Sequence, residues 1–524
     1  MRARRLLLAL AAAGAGCTGG GAATQPTAGT GKRLVATDAR TVVASADGAW
    51  LAYLDGCREA RGQYLPPGTA SCDLRVVASA GGDVAKVASA VTTLPQGLAW
   101  HPREPVLAAL SDYDYLAGTG TLVVWSRSGV AKVAEGVTFH GFVPDDLRVA
   151  ALSGGKLVSF LPGATPEWMP GEGGLTSFEI NPAWRSLPPG AVASLLRRPS
   201  ARPGGAALLA QGHDGKVREV APSVGDYAFA PGGAAWAFTV PGAQGYDLRL
   251  AVGAGAPRPV GRAARTFSFS PDGGTLAAIV EAVPGRQGDL VVAPVAASSS
   301  PARLGTEVGE MAWASAARPP RLAWIEAYDP RVRSGAAGAG GPGLRPRVFG
   351  RHVTDVAIAP DGREMAFLQH STRGGYSVDL LAVPVEGDVA PRPVAEGVFG
   401  FAFSPDSRWL YYRTRCTRNA EACDLERVPA GAPADAPLAP EPIAQGVKSF
   451  EFDPKEPGRL LVGWQRMDRA ALDVGVWEKG RLTRVDTVIQ PGSARLLGPD
   501  GRRVAYVVVD PKRAGVYVAE LPPP

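Results

Sequence analysis

Five cysteines lie along this 524-residue chain, and four of them form two local pairs, Cys57 with Cys72 and Cys416 with Cys423. Each pair brackets a loop, and in each the second cysteine opens the same tripeptide, Cys72-Asp73-Leu74 and Cys423-Asp424-Leu425. Neighbouring antiparallel strands bring Cβ atoms within disulfide reach, so two bridges and an oxidising compartment are expected. A zinc site is a poorer account, because no histidine stands at ligand spacing from these thiols. The five histidines, His101, His140, His213, His352 and His370, are scattered, and His101 and His140 read as exposed residues around turns. Asp112 and Asp114, in SDYDYLAGTG, could offer two carboxylates to calcium, but a polar hairpin turn accounts for them equally well. No stretch matches a nucleophile elbow, a zinc-protease helix or a phosphate loop. Gly338–Gly343 formally fits G-x-G-x-x-G, yet Pro342 lies inside it and no helix follows. No catalytic residue, metal ligand or cofactor is assigned.

The elements that must position these residues come from a repeat. A strand-turn-strand phrase recurs eleven times, about every 45 residues, the mark of a repeat architecture. Its clearest copies are FSFSPDGGTLAAI (267–279), VAIAPDGREMAFL (356–368), FAFSPDSRWLYY (401–412) and RLLGPDGRRVAYV (495–507). Aligned on the proline, the copies fall at 46, 102, 144, 182, 231, 271, 315, 360, 405, 454 and 499. Phe267-Ser268-Phe269 alternates as a half-buried strand does, and Leu276–Val280 is short and wholly apolar. Between them Pro271 presets a corner, Asp272 can hydrogen-bond onward and Gly273 tolerates positive φ. The same reading applies to Asp47, to Pro360, Asp361 and Gly362, to Pro405 and Asp406, and to Pro499, Asp500 and Gly501. These aspartates hold turns; their spacing argues against catalysis. A third strand opens on Asp-Leu at 73, 247, 289, 379 and 424, and a fourth fits behind it. Trp50, Trp100, Trp236, Trp313, Trp324, Trp409 and Trp464 take strand positions and are expected between sheets. Four short antiparallel strands per repeat make a β-propeller blade.

The Ser-Pro-Asp-Gly turns and Asp-aliphatic strands resemble the TolB-like, WD-type propeller repeats over nearly all of residues 42–520. That resemblance implies fold and leaves activity open. TolB carries an α/β domain ahead of its propeller, which this chain does not match, so the TolB partner role is not carried over. Propellers hold four to eight blades, so eleven copies predict two tandem rings, 32–262 with blades 1–5 and 263–524 with blades 6–11, with a single open or oversized ring as the alternative. The seam is expected between 260 and 310. The last repeat has room for three strands, and Arg33–Thr37 is expected to supply its outer strand and latch a ring shut. Two stretches read as insertions: 185–205, with a strand near 191–196, and the Gly/Ala-rich 331–347, expected as a mobile loop. Arg331, Arg333, Arg345, Arg347 and Arg351 in and beside it read as solvated loop charge.

At the N-terminus, Arg2, Arg4 and Arg5 precede an apolar run, and Gly14-Ala15-Gly16-Cys17 resembles a bacterial lipobox. The resemblance implies a signal peptide over 1–17 and a diacylated Cys17, with Gly14 standing where leucine is usual. Residues 18–31 read as a flexible tether. Thr18 in place of aspartate favours the outer membrane. Without Arg2, Arg4 and Arg5 there remain 52 basic against 49 acidic side chains, a net of +3 that gives no case for nucleic acid. The function expected is that of a lipid-anchored cell-envelope propeller that binds an envelope protein or a glycan. The alternative is a periplasmic polysaccharide lyase or hydrolase with its site at a channel mouth.

Overall fold

The computed structural model describes residues 31–522 apart from 61–64, 144–145, 169–172, 189, 201–204, 213, 297–299, 371–377, 418–421, 434–437, 466–470 and 499. Cys17, His213 and Pro499, with most of the tether, therefore lie outside the described residues. What is described is all antiparallel sheet with two short 3-10 turns. Eleven four-stranded blades follow one another: 41–92, 98–137, 137–168, 177–221, 227–261, 266–305, 310–353, 353–395, 401–447, 447–489 and 495–520. In each, strand a is innermost and strand d outermost. Three long strands, Gly129–Phe142, Leu344–Ile358 and Glu441–Phe452, serve as strand d of one blade and strand a of the next. The last blade borrows its outer strand from the start of the chain, where Lys32–Thr37 pairs with Gly515–Glu520. The N-terminal latch is thus in place.

The repeat phrase explains the local geometry. Gly273 N–H donates to the Ser270 carbonyl (2.8 Å), closing the turn, and the Ser270 hydroxyl both donates to Asp272 Oδ1 (2.6 Å) and accepts from Thr275 N–H (3.0 Å). Ser45 with Asp47 and Ser404 with Asp406 repeat this pattern. Behind the turn, the leucine of each Asp-Leu strand start (Leu74, Leu248, Leu290, Leu380, Leu425) is fully buried.

Blade packing corrects the expectation of two rings. Eleven apolar clusters fill the gaps between blades, and ten of them each unite two blades adjacent in the chain. The eleventh joins the ends: Leu51 and Tyr53 of blade 1 pack with Leu497, Val507 and Val516 of blade 11. Two rings would require blade 5 to close on blade 1 and blade 11 on blade 6. Instead Leu250 of blade 5 packs with Leu276 of blade 6, and Leu290 of blade 6 with Trp324 of blade 7, straight across the expected seam. The cycle is single. Its inner strands carry bulky side chains in several blades. Trp100 reaches the Val43 carbonyl of the preceding blade (3.2 Å) and Trp313 the Ser268 hydroxyl (3.0 Å), while Phe229, Phe269, Phe403 and Phe452 hold the same position. Sheets about 10 Å apart place eleven blades on a circle roughly 35 Å across at mid-blade, leaving about 20 Å between facing inner strands.

The stretch 331–347 is a second correction. It is not a loop: Ser334–Gly341 is strand c of blade 7 and Leu344–Ile358 follows as strand d. Its small residues make a socket for Trp324, whose ring lies 2.3 Å from where a Cβ on Gly338 would be. Arg347 is likewise no free loop charge, since it lies 4.6 Å over the Phe349 ring and donates to the Pro384 carbonyl (3.4 Å). Within 185–205, the strand is Val192–Pro199.

Candidate functional site

The turns of successive blades meet on one rim and form a collar. The position just before the proline does the linking. In blade 4, Asn181 accepts from Ala183 N–H (2.9 Å) and donates through Nδ2 to Gly233 O of blade 5 (2.9 Å). In blade 2, His101 does the same work: Nδ1 accepts from Arg103 and Glu104 N–H (3.2 and 3.0 Å), and Nε2 meets Asp146 O of blade 3 (3.0 Å). In blade 10, Asp453 accepts from Lys455 N–H (2.9 Å) and from Arg459 (2.9 Å), which in turn donates to Asp500 O of blade 11 (2.7 Å). Lys455 Nζ closes the circle by donating to Gly498 O of blade 11 (3.0 Å) and Ala46 O of blade 1 (3.4 Å). There Gly48, at φ +66°, sits so close to Gly498 that a Cβ would fall 1.9 Å from its nitrogen.

The placement of the aspartates follows from this. Asp272, Asp361, Asp406 and Asp500 each accept the N–H two residues on (3.0–3.1 Å) and stand on separate blades, as does Asp47. The hydroxyl of Ser270 holds the Asp272 carboxyl below the usual carboxylate range. Asp114 caps its own hairpin through Leu116 and Ala117 N–H (2.8 and 3.1 Å), and Asp112 lies beside Ser111. Among the described residues no group of three or more His, Cys, Asp or Glu could hold a metal. His101 and His140 are buried, at 3% and 8% exposure, which corrects their reading as exposed loop residues. The missed signal was register: His101 aligns with Ser45, Asn181, Ser270 and Ser404, all of which bond inward.

Other charges knit the joints. Arg427 is held between Trp409 (3.8 Å) and Trp477 (4.4 Å) of adjacent blades and donates twice to Glu441 (2.9 and 2.7 Å). Stacking and a fork of charged hydrogen bonds together make Arg427→Ala cost about 2–3 kcal/mol, and Arg427→Lys most of that. Urea unfolding checks this; an unchanged midpoint in both would remove the clasp from the account.

The opposite rim carries the b–c hairpins and the d-to-a crossovers. Both bridges stand there, Cys57–Cys72 across 15 residues and Cys416–Cys423 across 7. Two disulfides fit an oxidising location outside the cytoplasm. Each of Cys57→Ser and Cys72→Ser is expected to remove about 3 kcal/mol under oxidising conditions and little in reductant. Thermal melts with and without reductant test it. On this rim Leu116 (97% exposed), Val332 (60%), Phe399 (56%), Tyr246, Phe139 and Val509 face outward on six different blades. Among the described residues, no helix is long and apolar enough to cross a membrane.

The fold and its collar define a β-propeller. No family model matches the chain, and no curated protein matches it. Among solved structures it is similar to a eukaryotic initiation factor, at 12% identity over 70% of this chain and 93% of that one, with a TM-score of 0.38. It is also similar to the Dos1 propeller, at 9% identity over 64% and 91%, TM-score 0.35. An oligogalacturonate lyase in complex with manganese matches at 13% identity over 63% and 96%, TM-score 0.30. These scores carry no argument about activity.

Proposed function

We propose that this chain is a lipid-anchored, TolB-like envelope propeller that works as a binding scaffold, its partner a protein or glycan docked on the hairpin rim. The observation behind the reading is the set of large apolar side chains presented there, on the same rim that carries the two disulfides. Exposed apolar groups on a rigid frame suit recognition. The latch strand Lys32–Thr37 enters from the collar side, where Glu520 N–H meets Gly31 O (2.8 Å). A tether from Cys17 would then hold the collar toward the membrane and the hairpin rim away from it.

The test is a pull-down from crosslinked envelopes with the parent, with Cys17→Ser, and with Leu116→Asp plus Phe399→Asp. The parent is expected to recover a reproducible partner, the rim variant to lose it, and Cys17→Ser to leave the membrane fraction. Equal recovery by the rim variant would overturn the docking surface, and an unaltered fraction for Cys17→Ser would overturn the anchor.

A further inference from the structure

We propose that the joint between blades 2 and 3 is an acid-operated hinge of the ring, held shut by two neutral imidazoles and released when they gain protons. Both buried histidines of the described chain lie at this one joint, whereas His352 and His370 are exposed. They pin it at two heights. At the collar, His101 of blade 2 gives Nε2–H to Asp146 O of blade 3 (3.0 Å), and toward the opposite rim His140 on strand a of blade 3 gives Nε2–H to Gln96 O in the short turn that leads into blade 2 (2.8 Å). Apolar side chains fill the space between, among them Val106, Leu110, Val149 and Phe160.

Each second nitrogen is unfit to carry a proton. His101 Nδ1 already accepts two backbone N–H groups, so a proton there would face two donors and break the turn. His140 Nδ1 is buried with no hydrogen-bond partner, and a proton there would bring an unsolvated charge. The groups facing His101 are Arg103 and Glu104 on its own turn and, across the joint, the Asp146 and Val143 backbone and the edge-on Phe142 ring (5.1 Å). The Asp146 carboxylate is itself taken up by Arg185 (3.1 Å) and Arg148 (3.6 Å). Around His140 the acting groups are burial and the Gln96 carbonyl, with no charged side chain among them. Burial lowers both imidazoles, His140 to about 4. The folded joint thus binds protons more weakly than the open one. Its hold is complete above the ordinary histidine value near 6.5 and is lost as pH falls from there toward 4.

Hydrogen exchange reads the hinge directly, in the amides of Leu98–Trp100 and 139–142, with rates corrected for the intrinsic effect of pH. Between pH 7.5 and 5.0 the opening constant of the parent is expected to rise about 30-fold from His140 alone. His101→Asn installs the residue that blade 4 uses at this position, and His140→Leu the residue that blade 2 uses at its own. The pair together is expected to abolish the acid effect, and His140→Leu alone to leave the smaller part due to His101, which keeps the test usable if the asparagine variant does not fold. An acid rise of equal size in the parent and the variants, or one spread evenly over blades 5–8, would overturn the proposal.

Discussion

Replacing Asp486 by alanine is expected to free the N-terminal latch and to cost about 3 kcal/mol, near the lower limit for breaking a buried charge network. Asp486 lies on strand d of blade 10 and is 4% exposed. Its carboxylate accepts from the Tyr506 hydroxyl (2.9 Å) on blade 11, from Arg513 (2.9 Å) on the following hairpin and from Thr487 N–H (2.7 Å), with Lys32 Nζ of the latch at 3.3 Å. Burial would raise this carboxyl, but the Thr487 N–H, Arg513, Lys32 and Tyr506 outweigh it and hold it below its ordinary value. Without it, Arg513 and Lys32 can turn to water, whereas the fully buried Tyr506 loses its acceptor. In a chain of this length that loss lowers the thermal midpoint by about 3 °C. Trypsin gives a local reading, because Lys32, Arg33 and Arg40 bracket the latch strand and should be cut early in Asp486→Ala and late in the parent. The pH dependence has a defined sign. A depressed carboxyl stabilises the fold above the ordinary aspartate value near 4 and stops doing so as pH falls through its folded value. Parent and variant should therefore differ by a constant amount near neutrality and converge only in strong acid. Equal trypsin sensitivity at pH 7 would show that the latch does not depend on this residue.

The latch itself was legible, because a blade lacking a strand leaves a row of unpaired backbone groups and Arg33–Thr37 was the spare apolar strand. The turns were legible for a similar reason: serine, proline, aspartate and glycine each do one job within four residues. Ring closure was not. A blade face such as Leu276, Ala278 and Val280 asks only for another apolar face, and its sequence does not say whether that neighbour is blade 5 or blade 11. The deciding quantity is the angle of each joint, which depends on how Trp100 or Trp313 fits the strand of another blade 45 or more residues away. The histidine joint was hidden by the same separation, since the partner carbonyls of His101 and His140 lie at Asp146 and Gln96.

Gly338→Val is the substitution expected to do most harm, and it falls where low complexity suggested no packing at all. Trp324 is fully buried between blades 6 and 7, and its indole Nε1–H donates to Glu326 (2.9 Å). One side of the ring rests on Gly338, where a new Cβ would meet Cε2 and Nε1 at 2.3 Å; near Nε1, a Cβ on Gly305 of blade 6 would likewise lie at 2.6 Å. Both contacts are with a rigid bicycle boxed in by neighbouring strands, so neither side can yield. Overpacking of this kind costs at least 3 kcal/mol, and with the indole displaced from Glu326 a total above 4 kcal/mol is expected, enough to impair folding. The cause is separable from any loss of strand quality, because valine is the better strand former. Trp324→Leu should itself cost about 3 kcal/mol, yet in that background Gly338→Val should cost less than half of what it does alone. Denaturant unfolding of the four members of this cycle measures the coupling. Additive losses would mean that the glycine is kept for its backbone and not for the ring it admits.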